Sequence, residues 1–561
     1  MLREMIASIP HARAHEISFL RTKTSSVGCS HSSKTTRASF FKSRDAALTL
    51  FGEVFNLNEL KTRMPELRSS GDENLAYVLF HYYRKFGPNG LRDVDGTCAI
   101  AVLDESLRKC FLVADPLGIT PLFYATPPGS NTLIFSTHVN ALFQYRDFST
   151  EIDRVTLLER KALGFHDARR TYFKDIKQVA TNSLLEIPTE QIANMTSRRN
   201  EDPPASKNGS QEDPEEWLTQ CERLLLRALD TRSARYPDQP LRLAFSGGID
   251  SSLLATLLRR NPARGLTCFT MLDCKEAQDA SYARLVAETL NLKHQLCQIT
   301  LQQFGESLPD LISVMGCHGP IFAPYFLAKT IRESDPAIPM FFCGEGAEDY
   351  LARDTTFVYF ILKKMAQRLT EFEPRAIEKS PLLRTIRERL ARDIQPEQSD
   401  ELLQLIEPFE TGSFYSLRAA SDALGLECAF PFADKQLAAF AATIPQQMRT
   451  NGNVPNLVPR LLLTRNLRDR DLCTKLLSRP KEPIFFALWH NLNSLGRSLK
   501  ETLPQGFLYR NKYSREARHV LDLFWIWGLE VVFLKYRGQV GGMTFDDLIR
   551  EIIVQYEQRG N

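Results

Sequence analysis

Apolar and polar positions along this chain follow two periods. The run Leu48-Thr-Leu-Phe-Gly-Glu-Val-Phe-Asn56 has strand character, and helical spacing follows from Asn58 and again from Asn74 to Phe86. Residues 91–104 and 109–124 return to strand-like runs joined by short turns, which predicts a layered, antiparallel-rich first domain over residues 1–195. Upstream the pattern is weak: residues 17–20 read as a strand and 25–37 as a polar loop. Residues 196–215 hold almost no apolar side chain and are rich in Pro, Ser and charge, the composition of a flexible linker.

After an amphipathic helix over 216–235 the pattern changes again. An apolar run (Leu241, Leu243, Ala244, Phe245) ends on Ser246-Gly-Gly, and helical spacing resumes at once with Ile249, Leu253, Leu254, Leu257 and Leu258. Strands over 265–271, 294–299 and 339–343 alternate with helices over 279–290 and 302–316. Strand and helix in regular succession predict a doubly wound parallel sheet, which places ligands at the carboxyl ends of strands. From Tyr350 the chain is expected to be mainly helical, so residues 216–561 form the second domain. Lys and Arg crowd residues 363–396, either as a solvated helical face or as a groove for an acidic or peptide substrate.

Composition narrows the classes. A chain of 561 residues exceeds one core, and 43% hydrophobic with 24% charged residues is ordinary for globular domains. A net charge of +3 favours neither nucleic acid nor membrane as a partner. Eleven scattered cysteines without a Cys-x2-Cys spacing, and ten histidines without a cluster, read as reduced thiols in a cytoplasmic protein with no zinc site. The first ten residues lack the apolar core of a secretion signal, and the run 524–534 is too short to span a bilayer.

The candidate chemistry begins at Ser246-Gly-Gly-Ile-Asp-Ser-Ser252. Backbone N–H groups at the start of a helix, with glycines that admit close approach, suit an anion. The Walker spacing and its lysine are absent. The competing explanation is a strand–turn–helix whose small residues serve packing. Asp250 beside a bound phosphate anion would require a cation between them, which implies Mg²⁺.

The loop resembles that of the ATP pyrophosphatases. Phe51-Gly-Glu-Val-Phe-Asn56, Asp95-Gly96 and Ala114-Asp-Pro-Leu-Gly-Ile-Thr-Pro-Leu-Phe-Tyr124, followed by Leu133-Ile-Phe-Ser-Thr-His138, are similar to the glutaminase domain of asparagine synthetases. Cys343-Gly-Glu-Gly-Ala-Glu-Asp349, Gly425-Leu-Glu-Cys-Ala-Phe-Pro-Phe-Ala-Asp434 and Arg479-Pro-Lys481 resemble segments of the synthetase half of that family. The resemblance implies an α/β protein: a layered αββα (Ntn-hydrolase-like) domain, then a parallel-sheet domain like the adenine nucleotide α-hydrolases. It implies ATP as cosubstrate, gripped at the phosphates by Ser246, Gly247, Gly248, Ser251 and Ser252. Ala244, Met271, Cys343 and Gly344 would lie at the adenosine, and Asp250 with Glu348 would hold Mg²⁺. Glu345 would handle the amine's proton, Lys481 would stabilise the α-phosphate, and Glu427 would complete the catalytic set.

Two departures carry weight. The family's glutaminase uses a cysteine at position 2, where this chain has Leu2; Cys29 lies in a polar context and reads as an inert thiol. Glu53, Asn56 and Asp72 stand where glutamine-binding residues would be, so the first domain is expected to be silent. Cys428-Ala429 replaces an expected arginine, which weakens aspartate as the substrate. The branch of β-lactam synthetases and lasso-peptide cyclases then fits best: an intramolecular amide former acting on a small amino acid or a peptide, with a precursor peptide and its protease as partners in the second case. Asparagine synthesis, a non-catalytic nucleotide-binding descendant and a homodimer remain open.

Overall fold

The computed structural model describes residues 16–21, 26–31, 38–67, 74–127, 129–145, 153–163, 166–199, 214–272, 278–299, 322–352, 369–370, 374–390, 412–445 and 457–479, with isolated positions at 5, 303, 307, 314 and 449. The chain divides into two compact units, residues 1–207 with 354–415, and residues 208–353 with 416–561.

In the first unit β1 (Glu16–Arg21) and β2 (Ser26–His31) pair as an antiparallel hairpin. Ser26–His31 was expected within a polar loop and is instead strand: ladder hydrogen bonds hold a segment whose Ser-rich sequence carries little β signal. Cys29, read as a loop thiol, sits in that ladder opposite Ser18. A six-stranded antiparallel sheet is built from β3 (Ala38–Lys42), β4 (Ala46–Val54), β5 (Gly96–Asp104), β6 (Lys109–Val113), β10 (Ser183–Pro188) and β11 (Thr196–Arg199), in the order β11-β10-β6-β5-β4-β3. A smaller sheet joins β7 (Phe123–Ala125), β8 (Ile134–Ser136) and β9 (Ile176–Gln178) in the order β8-β7-β9.

The central strand β5 shows why the layers stack. Its two faces are both buried, and the alternation of a pleated strand sends Cys98, Ile100 and Val102 to one core and Ala99, Ala101 and Leu103 to another. The first core is closed by α1 (Leu75–Gly90), capped by the Asn74 side chain accepting from Tyr77 N–H. The second is shared with Leu122, Tyr124 and Phe135 around the small sheet. A third cluster joins Ala162 and Leu163 of α2 (Arg154–Leu163) to Leu383 and Ile386 of the helix Pro381–Leu390. Part of the basic stretch 363–396 thus packs in the first unit, although its position in the chain predicted the second. The apolar stripe of that helix announces a buried face, but not whose core receives it.

The predicted linker narrows at both ends, because Thr196–Arg199 pairs with β10 and α3 (Pro214–Ser233) begins two residues before position 216. In the second unit the elements follow as β12 (Leu241–Ala244), α4 (Ile249–Leu258), β13 (Leu266–Leu272), α5 (Gln278–Thr289), β14 (Lys293–Gln298), α6 (Phe322–Ser334) and β15 (Met340–Phe342). After them come α7 (Gly412–Ala423, of which 416–423 belong to this unit), β16 (Glu427–Ala429), α8 (Lys435–Ala441), α9 (Leu457–Asn466) and α10 (Arg470–Leu477). All five strands are parallel, in the order β14-β13-β12-β15-β16. The order reverses between β12 and β15, and a crevice opens beyond the carboxyl ends of strands at such a reversal.

Burial pushes the Cys221 and Cys268 thiols, in the core around this sheet, up to about 12, so they remain protonated and inert at neutral pH. Among the described residues, no helix is long and apolar enough to cross a membrane.

Candidate functional site

Both glycine-bearing loops predicted from the sequence leave the two strands that flank the reversal. After β12 the ladder continues for one residue, with Phe245 N–H donating to Phe269 O at 2.8 Å, and the chain then turns through Ser246 and Gly247. Gly247 has φ +67°, a left-handed conformation, and a Cβ there would lie 2.4 Å from the backbone nitrogen of Ala283 in α5. Only glycine allows this turn to press against that helix. Gly248 is the N-cap of α4, and Ser252 N–H closes the first helical bond to its carbonyl at 2.9 Å.

Small hydroxyls stitch the loop together. Gly248 N–H donates to Ser246 Oγ at 3.2 Å, the Ser246 and Ser251 hydroxyls lie 3.2 Å apart, and Ser251 Oγ donates to Gly248 O at 3.3 Å. Ser252 is fully buried, and its Oγ has no hydrogen-bond partner among the described residues. A buried hydroxyl without a partner costs free energy unless a ligand supplies one. The positive end of the α4 dipole points out of the same turn.

The second loop docks on the first. A Cβ at Gly344 would lie 3.4 Å from Ser251 N and 3.5 Å from the Asp250 Cβ, so the chain leaving β15 runs flush against the first turn of α4. Cys343 N–H donates to Ala429 O at 2.9 Å and keeps this exit in the sheet. Gly346 has φ +96°, and the turn continues into a π-helical segment, Ala347–Ala352. Glu345 is half-buried beside the crevice, and Glu348 is exposed on the first turn of that segment. On the other side, Ala244 ends β12 in the core and Met271, half-buried near the end of β13, pairs with Cys297.

Two arginines flank the Ser246–Ser252 loop. Arg460 of α9 donates to Leu477 O at 2.7 Å; burial lowers the pKa of its guanidinium, and the Asp250 carboxylate opposes that shift. Arg479, just past α10, places Nη1 at 3.4 Å from Ser246 O and its guanidinium 4.9 Å above the Tyr282 ring. A carboxylate and a helix N-terminus thus share one turn, with two guanidiniums from later elements beside it, a set of groups whose chemistry suits an anion.

The sequence model of the glutamine amidotransferase domain matches residues 30–198, and that of asparagine synthase matches residues 220–523, more than half of the chain. The chain belongs to the asparagine synthase family. Asparagine synthetase [glutamine-hydrolyzing] 2 of Bacillus subtilis is 27% identical over 345 residues, which cover 55% of this chain and 43% of that protein. The asparagine synthetase [glutamine-hydrolyzing] of Cricetulus griseus is 22% identical over 503 residues, covering 84% of this chain and 80% of that one. The chain thus spans less than half the length of some of its curated relatives and most of the length of others. Among solved structures, an NH3-dependent NAD synthetase from Campylobacter jejuni aligns over 35% of this chain and 94% of that one, with 15% identity and a TM-score of 0.20.

In this asparagine synthase family member the fold brings together Ala244, Ser246, Gly247, Gly248, Asp250, Ser251, Ser252, Cys343 and Gly344. Glu427 is the correction. It opens β16 opposite Met340, at the amino end of the sheet, while both loops leave the carboxyl end. Its buried carboxylate accepts from Tyr236 Oη at 3.2 Å, with Arg235 Nε 3.8 Å away, and both partners precede β12. Glu427 therefore ties the chain entering β12 to the start of β16 and does not reach the crevice. Arg460 and the Tyr282 ring have no signal in the sequence, and Arg479 is marked there only as part of the Arg479-Pro-Lys481 segment, with no role assigned to it. Lys481 and Asp72 lie outside the described residues, as does most of the predicted helix 302–316.

In the first unit, Glu53 is buried and takes the Thr97 hydroxyl, and Asn56 joins Asp93 O (2.8 Å) to Asp95 N–H (2.9 Å). Both side chains tie the end of β4 to the start of β5. A Cβ at Gly52, opposite Cys98, or at Gly96, opposite Val54, would come to 2.1 Å from a backbone oxygen of the paired strand, Thr97 O or Glu53 O, so both positions require glycine.

Proposed function

We propose that this protein is an ATP-dependent amide-forming ligase whose reaction centre is the crevice between β12 and β15. The observation that carries the reading is the docking of Gly344 on Asp250 and Ser251 at the reversal of strand order. It sets a phosphate-gripping helix start beside a loop that presents Glu345.

The assignments divide the reaction in two. Backbone donors of Gly248 to Ser252 and the Ser246, Ser251 and Ser252 hydroxyls hold the phosphates while a substrate carboxylate oxygen attacks the α-phosphorus and pyrophosphate leaves. Asp250, with Glu348, has the donor chemistry for Mg²⁺, whose role when bound is to screen the triphosphate. An amine nitrogen then attacks the acyl carbon of the adenylate and AMP departs. Glu345 accepts the amine's proton, because an ammonium cannot attack. Lys481 stabilises charge at the α-phosphate and at the tetrahedral carbon. Ala244, Met271 and Cys343 line the adenosine.

The amine belongs to the substrate itself, as in the β-lactam synthetases and lasso-peptide cyclases. Support comes from the first unit, where the Glu53 and Asn56 side chains are engaged in hydrogen bonds between the end of β4 and the start of β5. The second reading, synthesis of asparagine, is favoured by Glu345 and by the names of the relatives. Offering the protein glutamine, ammonia, amino acids and peptides with labelled ATP separates the two. Cyclised product without ammonia or glutamine supports the first, and asparagine formed from aspartate supports the second.

A further inference from the structure

Arg479 is a long cationic side chain that touches the turn opening the phosphate loop. Its backbone is anchored: N–H donates to Leu476 O at the end of α10, and Arg460 of α9 holds the neighbouring Leu477 carbonyl. Its guanidinium lies over the Tyr282 ring at 4.9 Å, a cation–π arrangement. Tyr282 is placed by the same close approach that makes Gly247 obligatory, since a Cβ at that glycine would also meet the Tyr282 carbonyl carbon at 2.8 Å. Nη1 lies 3.7 Å from where a Gly248 Cβ would be, so the guanidinium reaches both residues that open the anion-binding turn.

The contact Arg479 makes there is a weak one for its chemistry. A guanidinium pairs best with charged oxygens at 2.7–2.9 Å in bidentate geometry, and Nη1 rests on a neutral carbonyl, Ser246 O, at 3.4 Å. A phosphate oxygen entering the turn would offer a stronger acceptor within a small rotation of the same side chain.

We infer that Arg479, steered by Tyr282, is a pyrophosphate-binding residue of this site: it leaves the Ser246 carbonyl for the leaving-group phosphates and holds them as they separate from the nucleotide. The inference rests on the reading that the crevice takes ATP. It assigns discrimination between pyrophosphate and AMP to a residue outside the glycine loop.

The test is calorimetric titration of the full chain with inorganic pyrophosphate, AMP and Mg·ATP, on wild type, Arg479→Gln, Arg479→Lys and Tyr282→Leu, with a melting curve for each. The expected result is a loss of pyrophosphate affinity of roughly tenfold or more in Arg479→Gln, the scale of one hydrogen bond to a charged group, with AMP affinity held within about twofold. Arg479→Lys recovers part of the loss and Tyr282→Leu shows a smaller one. Equal pyrophosphate affinity in wild type and Arg479→Gln, with wild type binding Mg·ATP, overturns the inference and leaves the ligase reading intact. Parallel losses of pyrophosphate and AMP affinity with a lowered melting temperature also overturn it, since they mark a structural arginine. A wild type that binds neither nucleotide nor pyrophosphate overturns both.

Discussion

Replacing Gly247 by alanine should damage fold and site together, and the structure sets the scale. At φ +67° an alanine loses roughly 1–2 kcal/mol to the left-handed conformation alone. Its Cβ would sit 2.4 Å from Ala283 N, whereas non-bonded heavy atoms rest about 3.5 Å or more apart, so the loop and α5 must part by roughly 1 Å. That shift moves the first N–H groups of α4, and misplacing one donor to a charged phosphate costs about 1.5–3 kcal/mol of binding. The expected outcome is a loss of about 2–3 kcal/mol in urea unfolding followed by circular dichroism, with Mg·ATP affinity down roughly tenfold or more. Gly344→Ala is the internal control. Its Cβ would meet Ser251 N and Asp250 Cβ at 3.4 and 3.5 Å, ordinary contact distances, so stability should change by less than about 1 kcal/mol. A Gly247→Ala protein with wild-type stability and wild-type nucleotide affinity would refute the reasoning.

Glu427→Gln should lower stability by about 1–3 kcal/mol, because Arg235 and Tyr236 lose a charged acceptor, while turnover per folded molecule is preserved. Lost turnover at unchanged stability would return Glu427 to the catalytic set. Burial, with Arg284 adding to it, lowers the pKa of His294, whose Nε2 lies 2.7 Å from the Thr270 hydroxyl. Its folded value lies below 6.5, so its contribution to stability is complete above that pH and is lost as pH falls through the folded value. His294→Gln, followed by pH-dependent unfolding, should flatten the acid limb, and an unaltered limb would count against it. Glu159 behaves oppositely: burial raises its pKa, partly offset by the Ser380 hydroxyl at 2.6 Å. Its contribution is present below 4.5 and lost as pH rises through the folded value, so Glu159→Gln should stabilise the protein at neutral pH, and a destabilised variant would contradict this.

Local grammar made the loops legible. Ser246-Gly-Gly-Ile-Asp between an apolar strand and an apolar-periodic helix dictates a tight turn, and its place at a strand end followed from the alternation of elements. What the residues did not reveal is long-range. Arg460 is an ordinary charged residue in sequence, and Arg479 stood in a family-like segment without a role of its own; both lie near the first turn of α4 only because the chain folds back more than two hundred positions. Glu427 was misread because a motif gives identity without saying which end of a strand the side chain occupies. The strand Ser26–His31 escaped notice because its stability lies in pairing with β1 rather than in its own side chains. The helix Pro381–Leu390 showed an apolar stripe, but only the folded chain assigns Leu383 and Ile386 to the core around Leu163.

The most direct test of the central claim is the fate of ATP labelled separately in its α- and γ-phosphates, incubated with the full chain and a panel of amino acids and peptides. The account predicts α-label in AMP and γ-label in pyrophosphate, both abolished by Asp250→Asn. Label appearing in ADP and free phosphate, or cleavage indifferent to Asp250→Asn, would contradict it.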